Sequence, residues 1–74
     1  MDPKEIARLQ LYLRTKFGLA NLSVRGRPNK DDSAEVFIGD EFIGVIFRDD
    51  EDGEVSFDFN MAILDIDLPD QPAS

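Results

Sequence analysis

Apolar residues in the first part of the chain recur at helical spacing. The positions that share one helical face are Ile6, Leu9, Leu13 and Phe17. Asp2 is a suitable N-cap, Pro3 fits the first helical position, Glu5 completes a capping-box spacing, and Gly18 can end the helix in a left-handed conformation. The pattern predicts a helix over residues 3–17. Leu11 falls on its outer side, either as an ordinary exposed leucine or as an anchor for a partner.

Alternation of apolar and polar residues predicts four strands after this helix, at residues 21–25, 34–38, 41–48 and 54–60. Turn-forming residues separate them, in the sequences GRPNKDD, GD and DDEDG. Gly39 followed by Asp40 is typical of a two-residue hairpin turn. Four short strands joined in this way predict an antiparallel meander.

The lengths of the turns predict how the strands pair. The GD turn places Val36 opposite Ile43, and the DDEDG loop places Phe47 opposite Val55. Both turns then assign the large apolar residues to one face of the sheet, which we expect to receive the helix. The residues predicted on this face are Ala34, Val36, Ile38, Ile43, Val45, Phe47, Val55, Phe57 and Phe59.

The opposite side of the sheet, here called the second face, holds a smaller apolar cluster in the same register. Phe37 lies opposite Phe42, Ile46 lies two positions beyond Gly44, and Gly44 leaves a notch that admits a close approach. A single helix covers one face of a sheet, so this cluster needs another cover. We therefore expect Phe37, Phe42, Gly44 and Ile46 to form a protein-binding site.

The segment 61–68 (MAILDIDL) offers two conformations. Its apolar alternation first continues the last strand and then slips by one residue near Ile63 and Leu64, which indicates a bulge or bend. A short helix that opens at Asn60 is the competing prediction. The segment could cover the second face, or a second subunit or partner could do so. Residues 1–68 are expected to form one α+β domain and residues 69–74 a flexible tail.

Composition removes most catalytic chemistry. The 74 residues include no Cys, His or Trp, which excludes thiolate nucleophiles, iron–sulfur clusters, the usual zinc sites and any histidine base. An EF-hand frame on Gly53 would place Arg48 first and Phe59 twelfth, so the acidic loop lacks the key ligands. Asp65 and Asp67 are expected either on a solvated outer face or in an electrostatic contact with a basic partner. We predict no enzyme activity, no metal and no cofactor.

Charge is divided unevenly along the chain. Residues 1–30 carry seven bases and two acids, whereas residues 31–74 carry one base and fourteen acids, so the parts have charges of +5 and -13 and the total is -8. The one base of the second part, Arg48, is expected opposite Glu54 as a surface ion pair. The basic residues lack interleaved aromatics, so we expect no nucleic-acid binding. The acidic part could instead mimic a phosphate backbone.

The N-terminal residues MDPKEIARL contain no apolar run, so we expect no signal peptide, and no stretch is apolar enough to cross a membrane. The sequences IARLQLYLRTKFG, EVFIGDEFIGV and MAILDIDL resemble a family of short acidic alphaproteobacterial proteins known as a domain of unknown function. The resemblance covers roughly residues 3–68. It implies a bacterial cytoplasmic protein and no particular activity.

Together these patterns predict an α+β fold in which one N-terminal helix packs on a four-stranded antiparallel meander. The expected function is that of a small non-enzymatic cytoplasmic protein-binding module, self-associating as a homodimer through the second face. The alternative is an acidic decoy that mimics nucleic acid and binds a basic protein. We expect no membrane and no small-molecule substrate.

Overall fold

The computed structural model of the chain describes residues 1–71, without the side chain of residue 30. Its elements in chain order are helix α1 (Pro3–Phe17), strands β1 (Leu22–Arg27), β2 (Lys30–Ile38), β3 (Glu41–Asp49) and β4 (Ser56–Asn60), and a 3₁₀ turn (Asp65–Asp67). The strands form one antiparallel sheet in the order β1-β2-β3-β4. The predicted α+β fold is confirmed. The predicted tail at 69–74 lies partly outside the described residues.

The two ends of α1 have the caps that the sequence predicts. The Asp2 carboxylate accepts a hydrogen bond of 2.7 Å from the backbone N–H of Lys4. Gly18 ends the helix with φ 66, and its N–H donates to the carbonyl of Arg14. Both ends of α1 are therefore fixed by local hydrogen bonds.

Side chains of α1 block the outer edge of the sheet at β1. The Gln10 side-chain oxygen accepts from the backbone N–H of Val24 over 3.1 Å, and Arg14 Nε donates to the Leu22 carbonyl over 2.6 Å. These bonds satisfy backbone groups that an edge strand otherwise exposes. They also hold α1 on the β1 side of the sheet, so the edge at β4 has no such cover from α1.

A β-bulge in β3 changes the predicted register. Phe37 pairs with Phe42 as predicted, but Val36 pairs with Gly44 instead of Ile43. Ile43 is therefore an extra residue in β3, and every later residue of the strand points to the face opposite the predicted one.

The pairing of β3 with β4 agrees with this reversed orientation of the side chains in β3. Phe47 pairs with Asp58 and Ile46 with Phe59, so the predicted pair Phe47–Val55 is wrong. Val55 lies in the loop before β4 and is 49% exposed. Val45 and Phe47, predicted toward the helix, lie on the second face, because residues that pair directly share a face.

The core lies between α1 and the sheet. Its buried apolar residues are Leu13, Leu22, Val24, Ala34, Val36 and Ile46. Ile43, Phe57 and Phe59 pack against this cluster while remaining partly exposed. The predicted helix-facing positions are thus confirmed for β2 and β4 and for Ile43, and are wrong for the rest of β3.

The bulge in β3 also changes the face of the sheet on which Arg48 lies. Instead of pairing with Glu54 on the second face, it lies on the helix side and forms ion pairs with Glu5 and Asp50. After β4, residues 61–64 form neither helix nor strand, and the helical turn comes at Asp65–Asp67 rather than at Asn60. The strand therefore does not continue beyond Asn60, and the short helix occurs only as a 3₁₀ turn that begins at Asp65.

Candidate protein-binding site

The second face carries an aromatic pair next to the hairpin turn between β2 and β3. The rings of Phe37 and Phe42 meet edge to face, with centroids 5.8 Å apart and planes at 72°. Edge-to-face contact is a favourable geometry for two aromatic rings. Phe42 is 51% exposed, so the pair leaves apolar surface open to solvent.

Two of the four residues predicted for this site lie on the other side of the sheet. Ile46 is 1% exposed and belongs to the core, and Gly44 is buried beside Phe59. Their predicted place on the second face is wrong because the bulge at Ile43 reverses the phase of β3. The predicted pairing of Phe37 with Phe42 on this face is confirmed.

Val45 and Phe47 occupy the positions on the second face that Gly44 and Ile46 were predicted to fill. Phe47 is 43% exposed, and Val45 is half-buried between its neighbours Glu35 and Asn60. The aromatic patch therefore consists of Phe37, Phe42, Val45 and Phe47. An isolated glycine inside a strand pattern often marks a bulge, so Gly44 was the signal for this change.

Charged side chains border the aromatic patch on the β1 side. The Arg25 guanidinium lies 4.0 Å from the centroid of the Phe37 ring, within the range of a cation–π contact. Arg25 pairs across the strands with Glu35. The border thus presents a base and an acid side by side next to an apolar centre.

The segment 61–68 does not cover the aromatic patch. It passes near Phe42, where Met61, Ile63 and Leu64 help to line a depression of about 610 Å³. Its own apolar side chains remain open, with Ile63 64% exposed and Ile66 87% exposed. Among residues 1–71, neither this segment nor the aromatic patch therefore has an apolar cover.

Other kinds of site find little support among residues 1–71. No group of three acidic side chains in this part of the chain is arranged to hold a metal ion. The acidic residues 49–52 and 54 are all exposed. No helix in the same range has the length and apolar character that a membrane span needs.

Comparison with protein families matches residues 5–67 to the family described as "Protein of unknown function (DUF3126)". Since the match covers most of the chain, the protein belongs to this family. Comparison with curated proteins and with solved structures found no match.

Proposed function

We propose that this member of the family is a small non-enzymatic protein-binding module that self-associates as a homodimer through the aromatic patch of its second face. The observation that supports the proposal is that Phe42 and Phe47 are exposed, beside half-buried Phe37 and Val45, on the side of the sheet opposite α1. Aromatic residues in a contiguous exposed patch are typical of the centre of an interface.

A second copy of the chain suits this surface because a two-fold contact must be complementary to itself. Arg25 and Glu35 lie side by side at its border, so the arginine of one copy can meet the glutamate of the other. A chain of this size buries roughly 60% of its unfolded-chain surface, so further burial on association adds useful stability. A reducing, cytoplasmic location fits a chain without cysteine.

The test compares two variants that each place a carboxylate on an exposed apolar residue. We expect Phe42→Asp to convert the dimer to a monomer in analytical ultracentrifugation, with the circular dichroism of the fold unchanged. Leu11→Asp, on the exposed outer side of α1 at 68% exposure, is the matched control and is expected to remain a dimer. A monomeric wild-type chain, or a dimer that survives Phe42→Asp, contradicts the proposal.

The acidic decoy is the second candidate. It is favoured by the exposed acidic residues at the end of β3 and in the loop that follows, namely Asp49, Asp50, Glu51, Asp52 and Glu54. Capture of a basic protein by such a surface weakens steeply as salt rises, whereas association through the aromatic patch persists. Affinity capture at low and high salt separates the two candidates.

A further inference from the structure

The position of α1 leaves a groove along the β4 side of the molecule. Because Gln10 and Arg14 fix α1 against β1, part of the helix-facing surface of β3 and β4 stays open. The resulting α1–β4 groove has a volume of about 460 Å³. Its apolar lining comes from α1 and from the two strands, namely Leu9, Tyr12, Leu13, Ile46, Phe57 and Phe59.

A base without a partner stands on the helix side of the groove. Arg8 lines it next to Glu5, whose carboxylate is already bound to Arg48. Within the part of the chain that the structure describes, Arg8 forms no ion pair. The groove therefore suits an apolar segment that also carries negative charge.

The C-terminal arm, residues 61–68, has this chemistry. It contains Met61, Ile63, Leu64, Ile66 and Leu68, all more than half exposed. Its charged residues are Asp65 and Asp67, and it contains no base. We propose that the C-terminal arm of a second copy of this chain occupies the α1–β4 groove, in a reciprocal exchange of arms. The inference rests on the proposed self-association and names a second contact within the same dimer.

The arm of the same chain is poorly placed to fill the groove. β1 runs antiparallel to α1, since Gln10 contacts Val24 and Arg14 contacts Leu22. In the antiparallel order of the sheet, β4 then runs parallel to α1. The arm consequently leaves Asn60 in the direction away from Arg8.

For the arm to enter the groove of its own chain, the chain must reverse direction soon after Asn60. Residues 61–64 (MAIL) contain none of the usual turn formers. The turn at Asp65–Asp67 lies too far along to help, because five extended residues beyond Asn60 cover about 16 Å. Beyond that turn Leu68 is followed by proline, polar and small residues.

A second copy brings its arm in from the required direction. Consider two copies whose second faces stack on each other, related by a two-fold axis that lies between the sheets and perpendicular to the strands. In this arrangement, β4 of the second copy lies over β4 of the first and runs in the opposite direction. Its arm then starts at the same edge and runs toward Arg8. When the sheets stack about 10 Å apart, the groove lies about 15 Å from the start of the second copy's arm. The eight residues of the arm span about 26 Å when extended, which is enough to reach the groove.

Isotope-filtered nuclear Overhauser spectroscopy on a mixture of labelled and unlabelled wild-type chains tests this contact. We expect contacts between chains from the methyl groups of Ile63 and Ile66 to the rings of Tyr12 and Phe57. Contacts confined to one chain, or none from these methyl groups in a dimeric sample, overturn the inference. A monomeric wild-type chain overturns both this inference and the proposed function.

Two variants separate the inference from the proposed function. Ile66→Asp is expected to weaken dimerisation about tenfold or more in sedimentation equilibrium. Val55→Asp, which adds the same charge at an exposed apolar loop residue, is the matched control and is expected to leave dimerisation unchanged. If Phe42→Asp abolishes the dimer while Ile66→Asp leaves it intact, the second-face contact stands and arm exchange fails. The opposite pattern contradicts the second-face contact and, with it, the stacking from which the path of the arm is derived.

Discussion

Arg48 at the end of β3 and Glu5 in the first turn of α1 form an ion pair between segments 43 residues apart, with Arg48 Nε donating to Glu5 Oε2 over 2.9 Å. Arg48 Nη1 also donates to Asp50 Oδ2 over 2.8 Å. These hydrogen bonds, first to Glu5 and then to Asp50, raise the pKa of Arg48 above its ordinary value. Because the bulge in β3 turns Arg48 toward α1, the pair joins the helix to the shifted strand.

Removal of this pair should lower stability. We expect Arg48→Met, which keeps much of the apolar stem, to lower the urea midpoint of unfolding measured by circular dichroism. Glu5→Gln should lower it as well, and the double variant should lose less than the sum of the two. Glu54→Gln removes the partner that the sequence predicted and serves as the control without effect. Additive losses for Arg48→Met and Glu5→Gln contradict a direct contact.

The sequence predicts those elements whose local signals agree with one another. The helical spacing between Asp2 and Gly18 identifies α1, and the glycine of the Gly39-Asp40 turn adopts φ 59 as a hairpin turn of this kind requires. The phases of β2 and β4 follow from simple alternation. Phe57 and Phe59 share one side of β4, and Ala34, Val36 and Ile38 share one side of β2 while Phe37 takes the other. These parts of the fold are predictable because no long-range contact has to decide between alternatives.

The orientation of β3 is harder to predict, because its apolar residues occupy positions that point to both faces of the sheet. The sequence EFIGVIFRD has large apolar side chains at positions 42, 43, 45, 46 and 47, so alternation alone does not choose a face. The bulge at Ile43 lets both Phe42 and Ile46 find apolar surroundings on opposite sides of the sheet. One extra residue therefore moved half of the predicted site into the core, while Phe37 and Phe42 kept their predicted places.

The neighbours Ile46 and Phe47 test the phase of β3 directly. Ile46 is 1% exposed, and we expect Ile46→Ala to lower the free energy of unfolding by about 2–5 kcal/mol, as for other buried large-to-small changes. Phe47 is 43% exposed, so Phe47→Ala should cost less in unfolding and should instead weaken self-association. Urea unfolding and sedimentation of both variants provide the measurement. A larger stability loss for Phe47→Ala would restore the register predicted from the sequence.

Gly44 is required by the close packing of β3 against the end of β4. A Cβ atom at this position would lie 2.5 Å from both the Asn60 carbonyl oxygen and the Phe59 ring. The backbone oxygen cannot move aside as a flexible side chain could, so we expect Gly44→Ala to cost about 1–3 kcal/mol. Ser56→Ala, at an exposed position of β4, is the control and should change stability by less than about 0.5 kcal/mol. Thermal and urea unfolding measure both, and an unchanged Gly44→Ala midpoint contradicts the observed packing.

The turn between β1 and β2 depends on Asn29, which has φ 62 and is the one non-glycine residue with positive φ in the described part of the chain. Asparagine tolerates this left-handed conformation better than residues with an ordinary Cβ substituent do. We expect Asn29→Gly to retain or slightly raise the urea midpoint, whereas Asn29→Ala should lower stability by about 1 kcal/mol. Asp40→Ala, in the second position of the other hairpin turn, is the matched control because φ there is not positive. If Asn29→Gly and Asn29→Ala unfold at the same midpoint, backbone strain at this turn plays no part in stability.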